Sequence, residues 1–355
     1  MEFVYYKEAQ IIMNNWKLNI VDGILKNVLD ENGRKFYEND DLVESLVIPE
    51  GVTVIDNYAF QNFRGIKAIV FPDSLTTIND GAFDRCSSLV RITIPKNIKT
   101  IGVRVFGNCE SLEEAVILND VVGVYMFENC NKLKKVSFSD NLTKVDKYAF
   151  MTCKELEEVS FPDSVKTIGQ GCFANCKSLK EVRLPAKLKT ISGDTFYECS
   201  SLEQIDIPSK LKTIGPNAFE NCISLKEISM PDTVTTIGAL AFNNCKNLER
   251  INLSKGLKEI KEFILNECRK VEEIQIPESI ERVDFMSRGA FSCTDFKKVL
   301  FPHKLVSQII PLPNKWSKWA YTTIDGKTVE LKEQECTLDL ICRTLDLNKD
   351  TIELY

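Results

Sequence analysis

The side chains best equipped for chemistry in this chain are its thirteen cysteines. Ten of them stand in a ladder: Cys86, Cys109, Cys130, Cys153, Cys176, Cys199, Cys222, Cys245, Cys268 and Cys293. Thiols at recurring spacing can cross-link, hold a metal or act as nucleophiles, and each use needs a partner. Zinc sites present two tight cysteine pairs or cysteine with histidine. Here the close ladder pair is Cys172 with Cys176, and Cys336 with Cys342 is a looser pair. A thiol nucleophile needs a base, and the sole histidine is His303, just after Phe301-Pro302. Rungs one strand spacing apart come near disulfide reach, yet disulfide scaffolds belong to small domains without a core. The pattern favours buried free thiols, with no catalytic residue, cofactor or metal expected.

Two other strings imitate chemistry. Gly326-Lys327-Thr328 resembles the end of a phosphate-binding loop, but Tyr321 stands where its upstream glycine is required. The stretch Tyr321 to Leu331 reads instead as two β-rich runs around Asp325-Gly326, a hairpin. Acidic pairs such as Glu157-Glu158 and Glu272-Glu273 fit a solvated strand edge better than an acid–base dyad.

The spacing of the cysteines says more than their chemistry. Successive gaps are 23 residues, apart from one of 21 and a last of 25, which is the mark of a stacked repeat. A phenylalanine lies three residues before the cysteine at Phe83, Phe106, Phe127, Phe150, Phe173, Phe196, Phe219 and Phe242. Phe60 heads an earlier copy with Phe63 in the cysteine place, and Leu265 heads a later one. A leucine follows three residues after the cysteine, then apolar residues alternating with polar ones, as in Leu89, Ile92 and Ile94. That alternation predicts one short half-buried strand per copy. Proline commonly ends it, as at Pro95 and Pro162, because it lacks the N–H a ladder needs. Glycine at Gly169 and Gly215 is read as a turn residue. The Ala-Phe-x-x-Cys stretch is read as a single helical or 3₁₀ turn on the opposite wall.

Phenylalanine, cysteine, leucine and the Ile-x-Ile-Pro element recurring in register resemble the BspA-like class of leucine-rich repeat, from about Val43 to about Phe301. The lead-in Asn19-Ile20-Val21-Asp22-Gly23-Ile24-Leu25 is similar to that family's as well. The resemblance implies a right-handed repeat solenoid and a role in adhesion or protein binding at a bacterial cell surface or in secretion. It implies a protein partner, whether a host or matrix protein or another bacterial protein, and it brings no catalytic residues. The expected division is a lead-in cap over residues 1–42, about eleven coils over 43–302, and a C-terminal cap with a hairpin and final helix over 303–355.

Charge and hydropathy are consistent with a soluble coil stack. Net charge is 45 minus 51, or −6, without a clustered basic footprint, so nucleic acid is not an expected partner. No apolar run reaches bilayer length. The opening Met1-Glu2-Phe3-Val4-Tyr5-Tyr6-Lys7-Glu8 shows no secretory signal, and a reduced ladder suits a reducing compartment slightly better. A cytoplasmic scaffold is therefore the alternative expectation.

Between the inward residues of each strand, outward columns run down the stack. They make Arg91, Lys135, Glu158, Glu181, Arg183, Gln204, Asp206, Glu227, Arg250, Asn252 and Glu273 the candidate protein-binding residues. The columns are polar, mixed in charge and free of aromatic anchors. Two copies are irregular. One appears two residues short between Val124 and Phe127, and one carries three extra residues between Val283 and Phe291, including Phe285, Met286 and Arg288. At the ends, Phe3, Tyr5, Tyr6 and Trp16 in front, and Trp316, Trp319 and the helically spaced Leu338, Ile341, Cys342 and Leu345 behind, are read as covering the open coils.

Overall fold

The computed structural model describes residues 12–13, 16–30, 32–35, 44–283, 291, 294–302, 320–322, 328–330 and 351–354. The chain divides into two units, one of residues 1–188 and 195–201, the other of residues 189–194 and 202–355. Each is a stack of 23-residue coils, and none of the described residues forms an α-helix.

Each regular coil carries two strands where the sequence pattern gave one. In the first unit, Leu46–Val47, Ala68–Val70, Arg91–Ile94, Glu114–Ile117 and Lys135–Phe138 pair in parallel and build one ladder. A second ladder runs through Val54–Ile55, Thr77–Ile78 and Thr100–Ile101. It starts from an antiparallel hairpin, Trp16–Val21 with Ile24–Asp30, whose Asp22 and Gly23 both take positive φ, as a tight hairpin turn requires. In the second unit, Thr190–Ile191, Thr213–Ile214 and Thr236–Ile237 form the equivalent second ladder. These two-residue Thr-Ile strands are too short for a period-2 pattern to show. Their β-branched pair suits the pleat, one residue inward and one outward.

The opposite wall is not helical. Each copy from Phe60 to Leu265 has left-handed residues two before and two after its phenylalanine or leucine: Tyr58 and Asn62 about Phe60, Arg104 and Asn108 about Phe106, Phe263 and Glu267 about Leu265. A left-handed residue at every fourth position stops a right-handed helix from propagating. The backbone instead alternates between local turns and bonds to the next coil. Ala59 and Gln61 donate to Asp56 and Tyr58 within the coil, while Tyr58, Phe60 and Asn62 donate to Asp80, Ala82 and Asp84 of the next one at 2.9, 2.7 and 2.9 Å. Those bonds offset the cost of the left-handed conformation, and the frequent asparagines lower it.

Between the walls the phenylalanines stack ring on ring. In the first unit the centroids from Phe60 through Phe83, Phe106, Phe127, Phe150, Phe173 and Phe196 lie 4.9 to 5.8 Å apart. Phe219 and Phe242 in the second unit lie 5.3 Å apart. At the front, Trp16 meets Phe63 edge-on at 5.2 Å, so the aromatic that replaces a cysteine packs against the lead-in hairpin. At the rear, Ile352–Leu354 pairs in parallel with Lys298–Phe301, a closing strand with no sequence signal. The expected hairpin is present as Ala320–Thr322 paired antiparallel with Thr328–Glu330. His303, Cys293, Cys336, Cys342, Trp316, Trp319, the extra residues after Val283 and the expected final helix lie outside the described residues.

The glycines serve a different purpose from the one expected. Gly169 and Gly215 do not take positive φ. A Cβ on Gly169 would lie 2.3 Å from the Lys147 nitrogen, and one on Gly215 would lie 2.4 Å from the Gly193 nitrogen. Close approach of successive coils, rather than turn strain, excludes a side chain there.

The short copy is also short in a different place. Val122 pairs with Val145 as Ile101 pairs with Ile78, so Val122 to Phe127 is full length. The two missing residues belong to the turn after the first strand, where Ile94 to Ile101 spans seven steps and Ile117 to Val122 only five. Counting from the cysteines alone cannot say where in a coil the loss occurs.

Candidate functional site

All eleven candidate residues are exposed, while the strand residues beside them, such as Ile92, Val159, Val182, Ile228 and Ile274, are buried. The ladders hold them in register. Arg91 faces Glu114 and Glu114 faces Lys135, Glu158 faces Glu181 and Val182 separates Glu181 from Arg183 on the same strand. In the second unit Glu227 faces Arg250, Ser229 faces Asn252, and Glu273 faces Lys298. Gln204 and Asp206 occupy the same place in a segment that is not paired as a strand.

Four of the nine charged candidates are paired within the molecule. Lys135 pairs with Glu114 at 3.4 Å, Arg183 with Asp163 at 3.5 Å and Arg250 with Glu227 at 2.5 Å. The neighbouring column, which the sequence reading passed over, alternates in sign: Lys180 meets Glu157 at 2.8 Å, Lys226 meets Glu203 at 2.7 Å and Lys297 meets Glu272 at 2.6 Å. Alternation at one repeat interval was legible in the sequence. Glu158 and Glu181 differ: they sit in register as like charges and make no ion pair among the described residues.

One part of this face is concave. In the second unit the strand Arg250–Asn252 pairs with Glu227–Ser229, and Glu273–Gln275 pairs with Lys298–Phe301, but the two pairs are not joined. The opening between them is a hollow of about 720 Å³ bordered by Asn252, Glu273, Gln275, Asp232, Lys255 and Met230. Two of the expected residues, Asn252 and Glu273, thus come together at one depression. Arginine and aromatic side chains, absent from these columns except for the arginines named, lie on the turn wall: Arg104 covers the Tyr125 ring at 5.4 Å, and Tyr125 stacks on Tyr148 at 4.9 Å.

The ladder cysteines are core. Ten described cysteines, Cys172 included, are buried thiols outside any disulfide. Cys86, Cys109, Cys130, Cys153, Cys176 and Cys199 in the first unit each donate their thiol to the carbonyl of the preceding coil's phenylalanine, at 3.1 to 3.3 Å. Cys245 and Cys268 do the same in the second unit at 3.2 and 3.0 Å. A small side chain with a weak donor satisfies this need, which explains why the position is cysteine rather than alanine. Burial raises the thiols of Cys86, Cys109, Cys153 and Cys245 well above the ordinary value, and pushes Cys176 up to about 12. A neutral, inaccessible thiol is a poor nucleophile and a poor ligand. No group of His, Cys, Asp and Glu that could hold a metal occurs among the described residues, and no described helix is long and apolar enough to cross a membrane.

Comparison with known proteins agrees with this architecture. A family model for a BspA type leucine rich repeat region of six copies matches residues 31–154, 120–245 and 212–310. Among solved structures, the pneumococcal vaccine antigen PcpA is 21% identical, with 82% of this chain and 81% of that chain covered and a TM-score of 0.53. A leucine rich cell surface protein from Faecalibacterium prausnitzii A2-165 is 23% identical over 86% of this chain and 90% of that one, with a TM-score of 0.42. A leucine-rich repeat protein from Bacteroides ovatus ATCC 8483 is 23% identical over 84% and 99%, with a TM-score of 0.45. No curated protein matches the chain.

Proposed function

Because the chain belongs to the BspA-type leucine-rich repeat family, we propose that it is a non-catalytic module that binds a protein partner, in adhesion at a bacterial cell surface. The observation that carries this reading is the hollow of about 720 Å³ on the strand face, with Asn252 and Glu273 at its border. Exposed polar groups on a paired scaffold are held in place at little conformational cost, and a depression among them admits a protruding side chain. A similar chain carries the description of a cell surface protein, which supports the location. Buried thiols stay reduced in either compartment, so the ladder itself does not favour the cytoplasmic scaffold reading.

Two measurements test the proposal. Protease added to intact cells should cleave the native protein, and full protection in unbroken cells would overturn the surface reading. Immobilised chain should retain a host or matrix protein that Glu273→Lys combined with Asn252→Trp fails to retain. Equal retention by this double variant would remove the hollow from the binding face.

A further inference from the structure

A second hollow lies in the first unit, away from the strand columns, and the short coil makes it. The turn after the first strand normally brings an apolar residue inward, such as Leu75, Ile98 or Leu142, each buried. The two-residue loss removes that residue from the coil between Ile98 and Leu142 and leaves Asn119 in the turn. Asn119 is only 3% exposed. Its Nδ2 donates to the Val121 carbonyl at 2.8 Å, which fixes the orientation of the amide. Its Oδ1 is buried without a hydrogen-bond partner, a cost that a bound donor would relieve.

The same loss interrupts the second ladder. In neighbouring coils Thr100 donates to Thr76 and Gly102 to Ile78, and farther along Lys144 donates to Asp120 and Asp146 to Val122. The equivalent bonds from Val121 and Gly123 onto the carbonyls of Lys99 and Ile101 are not made, and Thr100–Ile101 and Val121–Val122 belong to separate sheets. The opening is about 550 Å³. Asp80, Asp120 and Asp146 border it, against the single cation Lys99. Asp80 accepts from the Val103 amide at 2.7 Å and Asp146 pairs with Lys144 at 2.8 Å, whereas the Asp120 carboxylate has no partner among the described residues.

The hollow therefore offers acceptors in excess, carboxylates and two ladder carbonyls, with the unpartnered amide oxygen of Asn119 buried in its wall. They do not form a group suited to a metal ion. The complementary group is a broad cation with several separated donors, and a guanidinium has five in a planar fork. We propose that this hollow binds the guanidinium of an arginine side chain presented by a peptide or protein partner. The site is independent of the strand-face hollow, so either can fail alone.

The test uses the full chain and the capped tripeptide Gly-Arg-Gly, followed through the amide resonances of Val121 and Gly123. These should shift saturably with a Kd on the order of 1 mM, as suits a single charged group. The same tripeptide with citrulline, equal in shape and neutral, should leave them unmoved. Asp120→Asn should weaken the arginine peptide about threefold or more and reduce its salt sensitivity, while Glu273→Lys leaves it unchanged. Absence of a saturable shift, an equal response to citrulline, or displacement of the peptide by calcium at lower concentration than the peptide itself would each overturn the proposal.

Discussion

At the scale of single residues, the ladder cysteine and its phenylalanine form one device. In eight coils the thiol caps the carbonyl of the phenylalanine below it, and the rings above and below close the core on both sides. The position was legible in the sequence as a buried one because phenylalanine and cysteine recur in register. The thiol–carbonyl bond was not, because spacing reports recurrence and not the atom that is satisfied. Two outcomes follow. Native protein treated with an alkylating reagent near neutral pH should leave the described ladder thiols unmodified, and unfolded protein should react at all of them, as peptide mass mapping would show. The raised thiol values also set a pH dependence. Above the ordinary value of 9.0 the unfolded chain begins to lose thiol protons that the folded chain keeps, so stability present below it falls as pH climbs toward about 12. Urea midpoints measured at successive pH values across that window should fall steadily, and a flat profile would show that the thiols are not desolvated. Phe196, fully buried and stacked on Phe173, should cost about 3–5 kcal/mol when replaced by alanine. A loss under about 1 kcal/mol in chemical denaturation would contradict its interior place.

At the scale of elements, the first strand and its proline stop were readable, because alternation over Leu89, Ile92 and Ile94 is long enough to carry a period. The Thr-Ile strand was missed, since two residues carry none. The turn wall was misread as helical because Ala-Phe-x-x-Cys puts phenylalanine and cysteine three apart, a spacing that a helix and a left-handed double turn share. Asparagine recurring beside the cysteine, as at Asn108, Asn129 and Asn175, was the available hint. The glycine that ends the Thr-Ile strand tests the corrected picture. Gly169→Ala should destabilise by about 1–3 kcal/mol, the range for overpacking a tight contact, because its Cβ meets the backbone of the preceding coil. A neutral result would mean that the coils can separate freely. The interrupted ladder gives a second outcome: the amides of Val121 and Gly123 should exchange with solvent faster than those of Lys144 and Asp146, which donate to the preceding coil. Equal protection at the four amides would mean that the ladder runs unbroken.

At the scale of the whole molecule, family and fold class were legible because one unit repeats many times and errors in a single copy average out. The functional face was only partly legible. The outward columns could be read directly from the register, but the hollows depend on where a ladder breaks, which is a property of two coils together. The alternating lysine–glutamate column crosses most copies, yet its partners are half or more exposed, and such pairs contribute about 0–1 kcal/mol each. Melting temperature should therefore move by only a few degrees between low salt and about 1 M sodium chloride. A collapse of stability in high salt would show that these charges, and not the stacked core, hold the coils together.

The short coil also bears on how such a chain changes over generations. Gain or loss of a whole coil leaves every ladder in phase, so arrays of this kind can lengthen or shorten without disturbing what remains. A loss out of phase cannot be absorbed in that way, and it persists as a local scar. In a molecule whose copies otherwise repeat one another, that scar supplies individuality: the turn at Asn119 is an address that the regular coils beside it lack.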